Sequence, residues 1–128
     1  MTQEEKELLL KDLGARLLYK LHCRVFKLNE DIKENDDILY GVIGDNVVTL
    51  KSDKDECLMY YQIKPYLRPM SSMTQEEEAY DRYYTWRIKD GILGSISEYI
   101  DWLNKKGFDY RGLIPMGLAL EAPEDMYK

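Results

Sequence analysis

Between Leu21 and Ile63 the apolar residues follow a two-residue period, whereas on either side of this stretch they recur at three- and four-residue spacing. A strand alternates its side chains between two faces and a helix repeats about every 3.6 residues, so the change of period predicts a sheet flanked by helices. Leu21, Cys23 and Val25 share one face of a first strand, with His22 and Arg24 on the other. Ile38–Ile43 and Val47–Leu50 are rich in β-branched residues, and Gly44, Asp45 and Asn46 between them tolerate the positive φ of a tight hairpin. In the fourth run, Cys57–Ile63, large side chains occupy both alternating sets, which predicts that neither face of the sheet is open to water. The expectation is a four-stranded antiparallel meander with polar links at Asn29–Asp37 and Ser52–Asp55.

The helices announce their starts. Thr2 with Glu5, Thr74 with Glu77, and Ser95 with Glu98 have the spacing of a capping box, in which each side chain satisfies a backbone N–H that the first helical turn leaves unpaired. A first helix is predicted over Gln3–Leu13, with a stripe of Leu9, Leu10, Leu13 and Leu17 and with Gly14 ending it. A second starts at Gln75 and carries Tyr80, Tyr84 and Ile88 on one buried stripe, flanked by Tyr83. In the third, Ile96, Tyr99, Ile100 and Leu103 fill one face, and Gly107 takes a left-handed C-terminal position while Phe108 folds back on Leu103. Pro65 and Pro69 fix two φ angles and remove two donors, so the segment around Tyr66, Leu67 and Arg68 reads as a stiff connector outside the sheet, with Met70 and Met73 filling gaps beneath it. After Gly107 the pattern is too broken for a helix and predicts an ordered, irregular tail. The fold class is therefore α+β: an N-terminal helix, the meander, two further helices and the tail, in one domain spanning residues 1–128.

Charge narrows the function. Twenty-four acidic residues against eighteen basic give a net charge of −6, which leaves no cationic surplus to neutralise a phosphate backbone and argues against binding duplex nucleic acid. The acidic N-terminus and the short Leu8–Leu10 triplet do not suit a secretory signal, and no apolar run approaches the roughly 20 residues that cross a bilayer. A cytoplasmic protein without membrane attachment is expected, and in that compartment Cys23 and Cys57 read as buried, reduced core residues.

Three segments carry a resemblance: Leu10–Leu17, Lys64-Pro65-Tyr66-Leu67-Arg68-Pro69-Met70-Ser71-Ser72-Met73-Thr74, and Phe108-Asp109-Tyr110-Arg111-Gly112-Leu113-Ile114 continuing through Gly117–Pro123. Together they resemble a family of short uncharacterised proteins from Bacteroides-type gut bacteria and their phages. They cover roughly a third of the chain, and such uninterrupted strings are more specific than short motifs. The family often has proline where this chain has Leu18, and the middle of the chain has no counterpart. The resemblance implies a setting, an accessory protein of a bacterial or phage genome, and brings no catalytic residue with it.

No reactive constellation emerges from the residues. His22 and Cys23 are consecutive on a strand and point to opposite faces, so they do not converge on a metal ion or exchange a proton, and Cys57 adds no short ligand spacing. The carboxylates of Glu76–Glu78 and Asn29–Asp37 lie at a helix start and on a polar link, places that do not raise a pKa. Gly91, Gly94, Gly112 and Gly117 lack the strand-loop-helix context of a phosphate loop. Neither a metal nor a cofactor is expected. Eleven tyrosines and two tryptophans are the stronger signal. Tyr80, Tyr84 and Tyr99 read as core, whereas Trp102, Asp109, Tyr110 and Arg111, with Tyr66 and Arg68 of the connector, have the aromatic-and-arginine composition enriched at interface hot spots. The structural alternative is that Asp109 caps a turn, Arg111 pairs with an acid and Tyr110 plugs the core. The expected function is a non-enzymatic accessory protein that binds a protein partner, with homo-oligomerisation left open. Two other classes remain: a small-molecule or nucleotide binder, which needs a tyrosine-lined pocket, and an acidic mimic of nucleic acid, which needs carboxylates arrayed over one face.

Overall fold

The computed structural model describes residues 1–26, 35–44, 46–52 and 57–127. Helix α1 spans Gln3–Ala15 and opens on its capping box: the Glu5 N–H donates to Thr2 Oγ1 at 3.1 Å and the Thr2 N–H to Glu5 Oε1 at 3.3 Å. The helix runs through Gly14, and its buried face is Leu9, Asp12 and Leu13, with Arg16 as the C-cap. Leu17, expected on the stripe, falls in the turn beyond and is exposed.

The strands are β1 (His22–Val25), β2 (Asn35–Ile43), β3 (Val47–Leu50), β4 (Cys57–Met59), β5 (Ile63–Leu67) and β6 (Leu120–Glu121), in the spatial order β4-β3-β2-β1-β5-β6. Strands β1 to β4 do form an antiparallel succession. The expected fourth strand, however, is two. A single 3-10 turn at Tyr60–Gln62, held by the Met59 N–H donating to the Gln62 side chain at 2.8 Å, separates β4 from β5. After that turn the chain crosses to the far side of β1 and pairs with it antiparallel. Strand β2 pairs with β1 through its first half and with β3 through its second, with an irregularity between Leu39 and Gly41. A side chain at Gly41 would meet Thr49 Oγ1 at 2.9 Å, which explains why glycine stands where β2 changes partners.

The segment around Pro65 is thus a strand and not a connector outside the sheet. Because the Phe26 N–H donates to the Gln62 carbonyl, the register makes Arg24 and Lys64 a hydrogen-bonded pair and leaves Cys23 opposite Pro65 at a non-hydrogen-bonded one. The absent proline N–H is not needed by β1 there. The tail is also less irregular than expected, since β6 pairs parallel to β5, Tyr66 with Leu120 and Leu67 with Glu121, and makes the sheet mixed. Of the polar links, residues 29–34 and 53–55 and Asp45 of the hairpin lie outside the described residues, while Asn35–Asp37 already belong to β2.

The core is one apolar cluster. Leu9 and Leu13 of α1, Leu21, Cys23 and Val25, Leu39, Val48, Leu50, Leu58, Ile63 and Leu67 of the sheet region, and Leu113, Leu118 and Ala119 of the tail all belong to it. Cys57, taken from the sequence as a core residue, is exposed on the edge strand β4, whereas Cys23 is buried.

Helices α2 (Gln75–Lys89) and α3 (Ser95–Lys106) form a hairpin beside this body. Thr74 and Glu77 make the expected capping box on α2. The one expected at Ser95 is absent: Gly94, left-handed at φ 82°, is the N-cap of α3, and the Ser95 hydroxyl donates to the Ile92 carbonyl. Gly107 ends α3 at φ 77°, with the Phe108 N–H donating to the Leu103 carbonyl at 3.0 Å. Among the described residues no helix is long and apolar enough to cross a membrane.

Candidate functional site

Two segments distant in sequence meet at Arg68 and Phe108. The Arg68 N–H donates to the Gly107 carbonyl at 2.7 Å, and the Asp109 N–H donates back to the Arg68 carbonyl at 2.8 Å, a parallel bridge that extends the β5–β6 side of the sheet. Asp109 turns the chain by accepting from the Leu113 and Ile114 N–H groups at 2.8 and 2.9 Å. Tyr127 closes the tail: its hydroxyl accepts from the His22 N–H at 3.1 Å and donates to the Tyr66 carbonyl at 2.6 Å. Its ring lies 2.8 Å from where a Cβ of residue 107 would stand, so Gly107 is required both for its backbone conformation and for this close approach.

Beneath this junction lies a charged cluster that pattern reading missed. Asp12 and Arg16 are 0% and 1% exposed. Arg16 Nε and Nη2 reach Asp12 at 3.0 and 3.2 Å, and Nη2 also donates to the Phe108 carbonyl at 2.6 Å. Arg111 Nη1 donates to the same carboxylate at 2.8 Å. The Tyr110 ring lies near both guanidiniums, 5.2 Å from Arg16 and 4.7 Å from Arg111, and its hydroxyl donates to Asn104. A signal was present in the sequence: Leu9, Asp12, Leu13 and Arg16 have the three- and four-residue spacing of one helical face, with an acid four residues before its base.

The residues singled out from sequence therefore sit as follows. Arg68, Trp102, Asp109, Tyr110 and Arg111 gather around Phe108 or the junction that it anchors. Each has a partner within the chain: Arg68 stacks on Phe108 at 4.3 Å, and the Trp102 ring is 5.7 Å from it. Tyr66 donates to Asp36 at 2.7 Å, and its hydroxyl pKa is raised by burial and by that carboxylate. His22 is half-buried against the Tyr127 ring, with a pKa lowered by burial and by Lys20. Burial, with Asp37 and Asp36 nearby, pushes the Cys23 thiol up to about 12, so it does not form a reactive thiolate near neutrality. No group of three or more His, Cys, Asp or Glu able to share a metal ion occurs among the described residues.

What remains open is a cleft of about 480 Å³ between the segment from Arg68 to Thr74 and the tail at Glu121–Glu124. Tyr80 of α2, Lys106 of α3 and Tyr127 complete its walls. Arg68 is already engaged there: both its terminal nitrogens reach Glu77 at 2.7 Å. This fork, together with the Thr74 N–H, outweighs burial and holds the Glu77 carboxyl at about 2. With that pair neutralised, the lining charges are Lys106 against the exposed carboxylates of Glu76, Glu121 and Glu124.

The cleft opens onto α2, where Glu76, Ala79, Tyr80 and Tyr83 line a shallow groove. Tyr80, expected on the buried stripe of α2, is 49% exposed, its flanking neighbour Tyr83 is 48% exposed, and Trp86, three residues further along this face, is 58% exposed. The inner face of the hairpin explains why. It is filled by Tyr84, Tyr99 and Trp102 at ring separations of 5.8 to 6.3 Å, so that Tyr80 reaches the cluster only at its edge, 6.2 Å from the Trp102 ring, and the Tyr99 hydroxyl donates to Asp81. Ile96, expected on the buried face of α3, points outward, as does Leu93 in the link before it. Comparison with protein-family models, curated proteins and solved structures finds no significant match to this chain.

Proposed function

We propose that the chain is a non-enzymatic accessory protein that binds another protein through the outer face of α2 and the cleft beside it. The observation that carries this reading is the stripe Tyr80, Tyr83 and Trp86, half-exposed on a helix whose buried members reduce to Glu77. Water contact at three neighbouring aromatic side chains is unfavourable in a monomer, and rigid aromatics are enriched where partners bury them. A bacterial or phage setting belongs to the same proposal and rests on the sequence resemblance.

The cleft lies in the volume range of small-molecule sites, which supports the alternative of a ligand-binding protein. Its carboxylates oppose a nucleotide phosphate, so protein binding is the better reading. Affinity capture from bacterial lysate with wild-type protein and with Tyr83→Ala/Trp86→Ala tests it. A protein held by the wild type and lost by the variant is the expected result. Equal capture by both, with a small molecule or nucleic acid copurifying, would defeat the proposal.

A further inference from the structure

The lining of the cleft says what chemistry it receives. Glu76 in the first turn of α2 and Glu121 and Glu124 in the tail all line it, so a group in the cleft meets carboxylates from two separate segments. None of the three carboxylates has an ion pair or side-chain hydrogen bond among the described residues, and Arg68 is committed to Glu77, leaving Lys106 as the single opposing cation of the lining. An anion placed there would meet net repulsion, whereas a lysine ammonium or an arginine guanidinium would meet attraction and the Tyr80 ring. The apolar part of the site is offset. From Glu76 to Tyr83 is seven helical residues, about 10 Å along the axis, and an extended chain covers that distance in about three residues.

From this arrangement we propose that the cleft and its continuation along α2 bind a linear segment of the partner, one with a lysine or arginine in the cleft and an aromatic or leucine-sized residue two to four positions away against Ala79, Tyr80 and Tyr83. This deepens the protein-binding reading and rests on it. Charge complementarity selects the basic residue, the exposed tyrosines select the apolar one, and the distance between the two subsites sets their spacing.

The test is selection of displayed random twelve-residue peptides on the full chain, followed by anisotropy titration of the selected peptides. The expected outcome is enrichment of a basic residue two to four positions from an aromatic or leucine. Affinity should fall at least about tenfold in Glu76→Lys/Glu121→Lys/Glu124→Lys and fall steeply with added salt. Since these side chains are exposed and unpaired, the variant should fold; if it does not, Glu76→Gln/Glu121→Gln/Glu124→Gln, with an expected loss of several-fold, replaces it. Acidic consensus peptides, no enrichment, or binding that survives the substitutions would each overturn the proposal. So would sedimentation as a dimer that Tyr83→Glu dissociates, because a second copy would then cover the stripe. If peptides fail while lysate capture still depends on Tyr83 and Trp86, the linear basic segment is wrong and the protein-binding reading stands.

Discussion

The mixed sheet with α1 and the tail is held together differently from the α2–α3 hairpin beside it. In the first region aliphatic side chains from α1, β1 to β5 and residues 113–119 bury one another. In the second, α2 buries Glu77, and α3 buries Ser95, Leu103 and Asn104. The hairpin is fastened to the body by the Arg68–Glu77 fork and by Trp102 against Phe108, while the outer face of α2 leaves Tyr80, Tyr83 and Trp86 about half exposed. Burial of apolar area is non-directional and can be spread over many residues, whereas a forked ion pair concentrates attachment at one point and leaves the rest of the helix surface available.

The largest expected effect is in the body. Asp12→Ala strands Arg16 without its counter-charge in the interior and takes the partner from Arg111, which should lower stability by about 3–5 kcal/mol in denaturant unfolding. A loss below about 1 kcal/mol would show that this cluster is not integral to the body.

A smaller effect is expected where the hairpin is fastened. Glu77→Gln should cost about 2 kcal/mol and should alter the acid response. Wild-type Glu77 has a folded pKa of about 2 against an ordinary 4.5. Its contribution is therefore complete above about pH 4.5 and declines as pH falls toward 2, since the unfolded chain takes up the proton first. Stability of the wild type should fall across that window more steeply than that of the variant. Parallel curves would show that the fork does not couple the hairpin to the body.

The smallest effect sharpens the contrast. Trp86→Ala should change the unfolding free energy by no more than about 0.5 kcal/mol, as expected for a side chain with few fold contacts. A loss of 2 kcal/mol or more would mean that the outer face supports the hairpin and is not reserved for a partner.

Local signals were legible wherever neighbours in sequence decide the outcome. Thr2 with Glu5, Thr74 with Glu77, and Gly107 at the end of α3 act within one helical turn, and all three appear as read. Ser95 with Glu98 has the same spacing but fails, because Gly94 supplies the N-cap conformation and the Ser95 hydroxyl turns back to Ile92. Pro65 reads locally as a breaker, and only the pairing register, which puts it at a non-hydrogen-bonded position, makes it tolerable in β5. At the candidate site, Arg68, Trp102, Asp109, Tyr110 and Arg111 were visible by composition. Their partners were not, since Asp12 lies 99 residues from Arg111.

The sequence by itself determined the α+β class, the two-residue and helical periods and most helix starts, because capping and alternation are properties of a few adjacent residues. Tertiary structure alone decided which apolar residues stay wet. Tyr83 and Trp86 have the hydrophobicity of core residues, yet the inner face of α2 is already occupied by Tyr84 packing on Tyr99 and Trp102, with Tyr80 half-exposed at the edge of that cluster. A helix has more than one face, and its sequence does not say how many of them will find a neighbour.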